Sequence, residues 1–139
     1  MNEKYETCET YAGSCHCGQV RFRVRFSSEQ GSFKCNCSIC SKTRAWLAPV
    51  DADALTLLCG EEELSVYQFA ARKIRHRFCR QCGVKVFGES TDAQGKPFFA
   101  VSLPALDDIS AARLAALPIR YFNGRHDDYE HPPADTSLL

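Results

Sequence analysis

Cys79-Arg80-Gln81-Cys82-Gly83 carries two thiols on a predicted tight turn, and Cys15-His16-Cys17-Gly18 repeats this arrangement near the start of the chain. A glycine follows each pair, and a residue without a side chain suits a backbone that turns closely around a metal. One pair of thiolates supplies half of a tetrahedral site, so the two pairs together can form the closed four-cysteine environment of structural zinc. Such a site would join two distant parts of the chain and contribute free energy to folding.

Two other interpretations of these cysteine pairs stay open. A redox Cys-x-x-Cys motif normally accompanies a βαβ pattern, which the sequence around residues 79–82 lacks. The thiols could also be buried without any ligand, since free cysteine is one of the most often buried residues.

A third cluster, Cys35-Asn36-Cys37-Ser38-Ile39-Cys40, holds three thiols within six residues. Three sulfur donors leave a tetrahedral metal one ligand short, and an open position is typical of catalytic zinc sites. We therefore expect Cys35, Cys37 and Cys40 to hold a second zinc ion whose fourth place a small molecule can take. An iron–sulfur cluster is less favoured, because it normally requires four cysteines.

The remaining cysteines and two histidines have less certain roles in the sequence. Cys59 or His76 could close the three-cysteine site from a distance, whereas Cys8 and Cys59 are otherwise interpreted as small hydrophobic residues. His16 and His76 are candidates for proton transfer, although a histidine beside a cysteine turn is more often packed or hydrogen-bonded.

The composition bounds the class of protein. The chain has 139 residues, 45% of them hydrophobic, and equal numbers of basic and acidic side chains. Such a chain can form one globular domain with a modest core, and its zero net charge argues against a dedicated nucleic-acid protein. Its first residues lack the apolar segment of a secretory signal, and no apolar run approaches the ~18 residues of a membrane span. We expect a cytoplasmic protein, in which clustered cysteines are more often metal ligands than disulfides.

Basic side chains concentrate beside the cysteine clusters, at Arg21, Arg23, Arg25, Lys34, Lys42, Arg44 and between Arg72 and Lys85. They could form a positive rim that attracts an anionic small molecule. The alternative is that they are the solvated faces of strands.

Hydrophobic alternation predicts mostly strands. Residues 20–26 alternate apolar side chains with arginines, which predicts a half-buried strand. Residues 74–78 enter the Cys79 turn and residues 84–87 leave it, so the two thiols should lie at the tip of a hairpin. Further strands are predicted at 55–59 and 64–69, paired as a second hairpin, and at 97–103 and 119–122.

The sequence therefore predicts a mainly β protein with one short helix over residues 111–117, capped by Asp107 or Asp108 and ended by Pro118. We divide the chain into an N-terminal segment (1–12), one zinc-binding domain (13–126) and an acidic C-terminal tail (127–139).

Three ordered motifs carry a family resemblance. Gly-Ser-Cys-His-Cys-Gly-Gln-Val-Arg-Phe (13–22), Cys-Asn-Cys-Ser-Ile-Cys-Ser-Lys (35–42) and Phe-Cys-Arg-Gln-Cys-Gly-Val-Lys-Val-Phe (78–87) resemble the signature of the glutathione-dependent formaldehyde-activating enzyme family, which includes centromere protein V. The resemblance covers roughly residues 11–126 and includes all the cysteines of the signature.

The resemblance implies an Mss4-like fold of coiled β-sheets that holds two zinc ions. It assigns Cys15, Cys17, Cys79 and Cys82 to a structural zinc, and Cys35, Cys37 and Cys40 to a catalytic one. The activity it implies is the joining of glutathione to formaldehyde to give S-hydroxymethylglutathione, a carbon–sulfur lyase reaction.

We therefore expect a zinc-dependent enzyme of the carbon–sulfur lyase type, whose partners are a small thiol, glutathione or a similar compound, and a small aldehyde such as formaldehyde. A thiol bound to zinc is deprotonated outright, and the metal could instead polarise a carbonyl oxygen. Three anionic sulfurs make the metal electron-rich, which favours the first route. The alternative function is a non-catalytic zinc-stapled β module that binds an acidic partner or nucleic acid.

Overall fold

The computed structural model describes residues 8–139. The first seven residues of the predicted N-terminal segment lie outside this range, and the next ones belong to the first strand. Within the described range the chain forms ten strands and two α-helices: β1 (Cys8–Ser14), β2 (Arg21–Ser27), β3 (Ser32–Cys35), α1 (Ser38–Thr43), β4 (Leu47–Asp51), β5 (Leu55–Cys59), β6 (Leu64–Tyr67), β7 (Arg75–Cys79), β8 (Lys85–Thr91), β9 (Pro97–Ser102), α2 (Ala111–Ala116) and β10 (Ile119–Phe122). The prediction of a mainly β protein is confirmed, and it missed one helix.

Two sheets organise these strands. A three-stranded sheet has the order β1-β2-β5, and a seven-stranded sheet has the order β10-β3-β4-β9-β8-β7-β6. All pairs are antiparallel except β10 with β3. The predicted alternation in β2 is confirmed, because its arginines are exposed and its apolar side chains are buried. One of them, Phe22, meets Phe87 of β8 edge to face, so the core lies between the two sheets.

The seven-stranded sheet separates a core face from a cavity face. Val101 pairs with Phe87 and Ala48, and all three side chains belong to the buried core. Successive side chains of a strand point to opposite faces. The neighbouring row, in which Ala100 pairs with Pro49 and Gly88, therefore lies on the other face, where it lines a cavity.

The hairpin predicted for residues 55–69 is wrong. β5 pairs with β2 in the small sheet, whereas β6 pairs with β7 in the large one. Gly60, at φ +90°, turns the chain between them. A Cβ at this position would lie 2.1 Å from the carbonyl oxygen of Gln19, so the turn is held against the segment before β2. Two apolar runs joined by a polar loop are compatible both with a hairpin and with a connection from one sheet to the other, so the local sequence could not distinguish them.

The other strand predictions are confirmed. β7 and β8 form the hairpin that carries Cys79 and Cys82, with an irregularity in the register between Arg77 and Phe78. β9 and β10 occupy the positions expected from their apolar runs.

The cap predicted for the helix near residue 111 is wrong. Ser110 caps α2, because its hydroxyl accepts a hydrogen bond from the Arg113 N–H at 3.1 Å. The two aspartates bind β1 instead. Asp107 accepts a hydrogen bond from the Ser14 hydroxyl at 2.8 Å, and Asp108 accepts one from the Ala12 N–H at 3.0 Å.

The C-terminal residues lie against β3 and β10. Tyr129 contacts Phe122 edge to face at 5.6 Å between ring centres, and the Lys34 ammonium donates to the carbonyl of Leu139 at 3.2 Å. Over residues 8–139, no helix has the length and apolar character required to cross a membrane.

Candidate metal centre and adjoining cavity

The first candidate metal site brings together the two predicted cysteine pairs. The sulfur atoms of Cys15, Cys17, Cys79 and Cys82 all lie within 4.8 Å of one another. Cys17 Sγ is 3.7 Å from the sulfurs of both Cys15 and Cys79. Convergence of four thiols from two distant turns is the donor set of a closed structural zinc site, so these residues fit such an ion.

Backbone N–H groups point at the sulfurs of this set. The Val20 N–H donates to Cys15 Sγ at 3.3 Å, and the Gln81 N–H donates to Cys79 Sγ at 3.4 Å. The pKa of Cys82 is lowered to about 6, first because the backbone N–H of Cys17 donates to its sulfur. Donors of this kind favour the thiolate, which is the form that binds metals.

The three-cysteine cluster lies where β3 ends and α1 begins. Cys35 ends β3, Cys37 is the N-cap of α1, and Cys40 lies three residues further along the helix. Positions three apart lie on one side of a helix, so the N-cap Cys37 and the helical Cys40 lie on the same side of α1. This short helix was not predicted, and it is the element that gathers the trio.

The three thiols of this trio affect one another's pKa values, although among the described residues only the four-cysteine set has all its sulfur atoms within 4.8 Å of one another. The pKa of Cys37 is lowered, first by a hydrogen bond from the Cys35 thiol, and the pKa of Cys40 is raised, first by its hydrogen bond with Cys35. The Cys37 N–H also donates to Cys35 Sγ at 3.4 Å. One N–H-to-sulfur contact of the kind seen in the four-cysteine set recurs in the trio, and thiols are donors that zinc accepts.

Gly124 fits closely over this trio. A Cβ at residue 124 would lie 2.5 Å from Cys35 Sγ, 3.2 Å from Cys37 Cβ and 3.3 Å from the Tyr129 hydroxyl. The segment after β10 therefore covers the cysteines at a distance that only glycine permits. No local sequence pattern indicated this contact.

Arg125 holds the covering segment to the loop before α1. Its N–H donates to Asn36 Oδ1 at 3.0 Å, its Nε to the Asn36 carbonyl at 3.2 Å, and its Nη2 to the Ser41 hydroxyl at 3.3 Å. Asn36 also donates from its amide to Asn123 at 2.9 Å. This network fixes the loop that carries the trio.

A cavity of about 720 Å³ adjoins the trio. Cys35, Cys37 and Cys40 line it together with side chains from the open face of the large sheet. This volume falls within the usual range for small-molecule sites. Beyond sulfur, most of its lining is aromatic or aliphatic, and the cationic side chains among the lining residues are Lys85 and Arg125.

His76 and Lys85 form a polar pair in this cavity. Lys85 Nζ lies 2.9 Å from His76 Nδ1, and His76 is only 6% exposed. Burial, and then the charge of Lys85, lower the pKa of His76, and burial likewise lowers the pKa of Lys85. An ammonium group can only donate, so Nδ1 accepts and the neutral ring carries its proton on Nε2. That nitrogen is buried and has no hydrogen-bond partner among the described residues.

Two other candidates from the sequence are not at the cavity. His16 is exposed beside the four-cysteine set. Cys59 is exposed and interacts with the carbonyl of Gln19, so it neither closes the three-cysteine site nor packs as a buried hydrophobic residue. Of the two distant residues proposed to close that site, only His76 lines the cavity.

Of the two interpretations of the basic residues, the structure favours strand positions over a positive rim, because several of these side chains have partners elsewhere. Arg75 and Arg77 both pair with Glu89, at 3.4 and 3.2 Å, and Arg44 donates to the carbonyl of Leu138. Lys42 is exposed and is not among the residues that line the cavity. Lys85 lies in the basic segment noted in the sequence, but its half-buried position in the cavity could not be inferred from composition.

The chain is similar to a known family and to a solved structure. The family model described as glutathione-dependent formaldehyde-activating enzyme matches residues 10–121. A Halomonas elongata protein with the provisional name glutathione-dependent formaldehyde-activating enzyme is 40% identical over 79 residues, which are 50% of this chain and 50% of that protein. The chain thus spans about half the length of this curated relative.

A solved structure shares the architecture. The crystal structure of a Rhodobacter sphaeroides protein superposes with a TM-score of 0.66 at 28% identity, covering 78% of this chain and 99% of that one. The matched residues 10–121 include both cysteine pairs and the trio. The chain belongs to the glutathione-dependent formaldehyde-activating enzyme family.

Proposed function

We propose that this protein is a zinc-dependent enzyme of the carbon–sulfur lyase type that adds a thiol, glutathione or a similar compound, to a small aldehyde such as formaldehyde. The observation that carries the proposal is that one cavity is lined both by the trio of Cys35, Cys37 and Cys40 and by the buried His76 with its half-buried partner Lys85. Sulfur donors for a metal and a proton donor for an oxygen are the two requirements of this addition.

The seven cysteines would divide between two zinc ions. Cys15, Cys17, Cys79 and Cys82 would enclose one ion and stabilise the junction of the two sheets. Cys35, Cys37 and Cys40 would hold the other. A zinc ion bound by three thiolates supplies a fourth place at which an incoming thiol loses its proton.

Side chains of the protein would stabilise and protonate the carbonyl oxygen of the aldehyde. As the C–S bond forms, the carbonyl π bond breaks and negative charge grows on the oxygen. His76 Nε2–H donates to that oxygen and transfers its proton, and Lys85 returns a proton to the ring through Nδ1. The proton released by the thiol restores Lys85, so the product is a neutral hydroxymethyl thioether.

A two-variant experiment tests this proposal. Zinc content is measured by elemental analysis, and the exchange between free aldehyde and thiol adduct is measured by exchange NMR. We expect two zinc ions per chain in the native protein. Cys37→Ser should stay folded with about one zinc ion and lose catalysed exchange, whereas Cys79→Ser should lose the other ion and unfold at a much lower temperature. One zinc per native chain, or full exchange in Cys37→Ser, would contradict the proposal.

The alternative function, a binding module for an acidic partner or nucleic acid, predicts different behaviour. Its affinity for the partner would fall steeply with salt and would not depend on thiols. The exposed arginines of β2 are the surface on which such binding would depend. Retained partner binding by Cys37→Ser, with no catalysed exchange in the native protein, would favour this alternative.

A further inference from the structure

The floor of the cavity is a row of paired residues from neighbouring strands, small in three of its four positions. Pro49, Ala100, Gly88 and His76 are paired in register across β4, β9, β8 and β7, and all four line the cavity. Small residues in this row leave space above the sheet. The small residues of these strands therefore determine the depth of the cavity.

Apolar side chains form most of the walls. Phe33, Leu47, Ile74, Phe98 and Phe122 line the same space. Formaldehyde has one carbon and one oxygen, so it would occupy a small part of about 720 Å³ and contact few of these groups. An apolar wall contributes to the binding free energy only if the ligand has apolar surface to bury against it.

The polar groups do not match the two carboxylates of glutathione. Arg125 already donates to Asn36 and Ser41, and Lys85 is engaged with His76. Asp127 adds a carboxylate to the lining, which repels an anion. The lining thus supplies a polar end for one oxygen and an apolar space for a chain.

We propose that the cavity receives the hydrocarbon chain of an aldehyde larger than formaldehyde, with its carbonyl oxygen at His76 and its carbonyl carbon facing the cysteine trio. The inference rests on the proposed function and names the substrate class of that site. The polar part of the thiol co-substrate stays towards solvent, and only its sulfur enters.

Transfer of apolar groups from water sets the size of the effect. Each methylene that the cavity buries in the transition state should raise kcat/KM, divided by the rate constant of the uncatalysed addition, about fourfold. On this normalised scale, catalysed exchange with glutathione should increase from formaldehyde to propanal and again to hexanal.

The test measures this series by exchange NMR in the native protein and in variants that fill the floor. A Cβ at Gly88 would contact Ile74 at 3.5 Å, an ordinary distance, so Gly88→Ala should fold. Gly88→Ala and Ala100→Leu should lower the ratio of hexanal to formaldehyde kcat/KM by at least fivefold. Ala112→Leu, on the exposed face of α2, is the control and should keep the native ratio.

A binding measurement makes the result independent of turnover. Addition of 1-hexanol, but not methanol, should shift the backbone amide signals of Gly88 and Ala100 in the native protein, and the shifts should be lost in Ala100→Leu. A native preference for formaldehyde over hexanal after division by the uncatalysed rates, or the absence of these shifts, would overturn the inference and leave the thiol-addition proposal intact. Hexanol shifts without exchange of any aldehyde would support the apolar ligand and contradict the enzymatic function.

Discussion

Lys85 Nζ lies 2.9 Å from His76 Nδ1, inside the cavity that the three clustered cysteines also line. The lysine keeps Nδ1 of the ring as an acceptor and leaves the proton on Nε2. His76 is buried in β7 and Lys85 is half-buried in β8, so the hairpin that also carries Cys79 and Cys82 holds the geometry of the pair.

Lys85→Met should lower catalysed aldehyde–thiol exchange by about 100-fold, because His76 loses the donor that fixes its tautomer and resupplies its proton. The apolar stem is retained, so thermal unfolding should change little. Lys96→Met is the control, since Lys96 is exposed on the turn before β9 and 3.9 Å from Asp51. Exchange within twofold of the native rate in Lys85→Met would show that the pair has no catalytic part.

His76 should make stability depend on pH. Its pKa in the folded protein is lowered below 6.5 by burial and by Lys85, against an opposing effect of Cys37. The unfolded chain therefore takes up the proton first. The stabilising effect is complete above pH 6.5 and is lost as the pH falls to the folded pKa, by up to about 1.4 kcal/mol per pH unit.

Urea unfolding at pH 7.5 and 5.5 measures this dependence. His76→Phe keeps an aromatic ring beside Phe69, and its free energy of unfolding should fall less than that of the native protein over the same interval. His126→Gln, at an exposed position, should behave like the native protein. An identical pH dependence in His76→Phe and native protein would rule out His76 as its source.

Gly124→Ala should disrupt the three-cysteine site while leaving the sheets folded. The added Cβ would lie 2.5 Å from Cys35 Sγ, so either the sulfur or the covering segment must move. We expect exchange to fall at least tenfold and the second zinc ion to bind more weakly, as measured by chelator competition. Gly95→Ala is the control because a Cβ there has nothing within 4 Å. Equal metal affinity in the two variants would contradict the contact.

Gly60→Ala should destabilise the connection between the sheets. Gly60 and Gly95 have similar positive φ values, +90° and +80°, so both substitutions carry a backbone cost of about 1 kcal/mol. Only at Gly60 would the Cβ also meet backbone, 2.1 Å from the Gln19 carbonyl oxygen. We expect Gly60→Ala to lower the free energy of unfolding by about 3 kcal/mol and Gly95→Ala by about 1 kcal/mol, measured in urea. Equal losses would mean that the turn relaxes freely.

The strand predictions were correct where buried and exposed side chains alternate along a short stretch of sequence. In β2, apolar residues alternate with arginines, and this pattern by itself defines one buried and one exposed face. The β7–β8 hairpin was equally predictable, because two strand patterns flank a short turn with glycine. The β5–β6 hairpin failed because its two strands find partners in different sheets, and no local residue specifies that choice.

The sequence by itself determined the chemistry that is available: three ordered groups of cysteines, each on a turn or at the end of a strand. It also indicated which two pairs combine, and the convergence of their sulfurs within 4.8 Å agrees with that prediction. Only the tertiary structure decided which side chains share the cavity with the trio. Lys85, His76 and Gly124 come from distant parts of the chain, and their meeting depends on strand register and on which sheet face is left uncovered. Those features follow from long-range burial, which short-range sequence patterns do not encode.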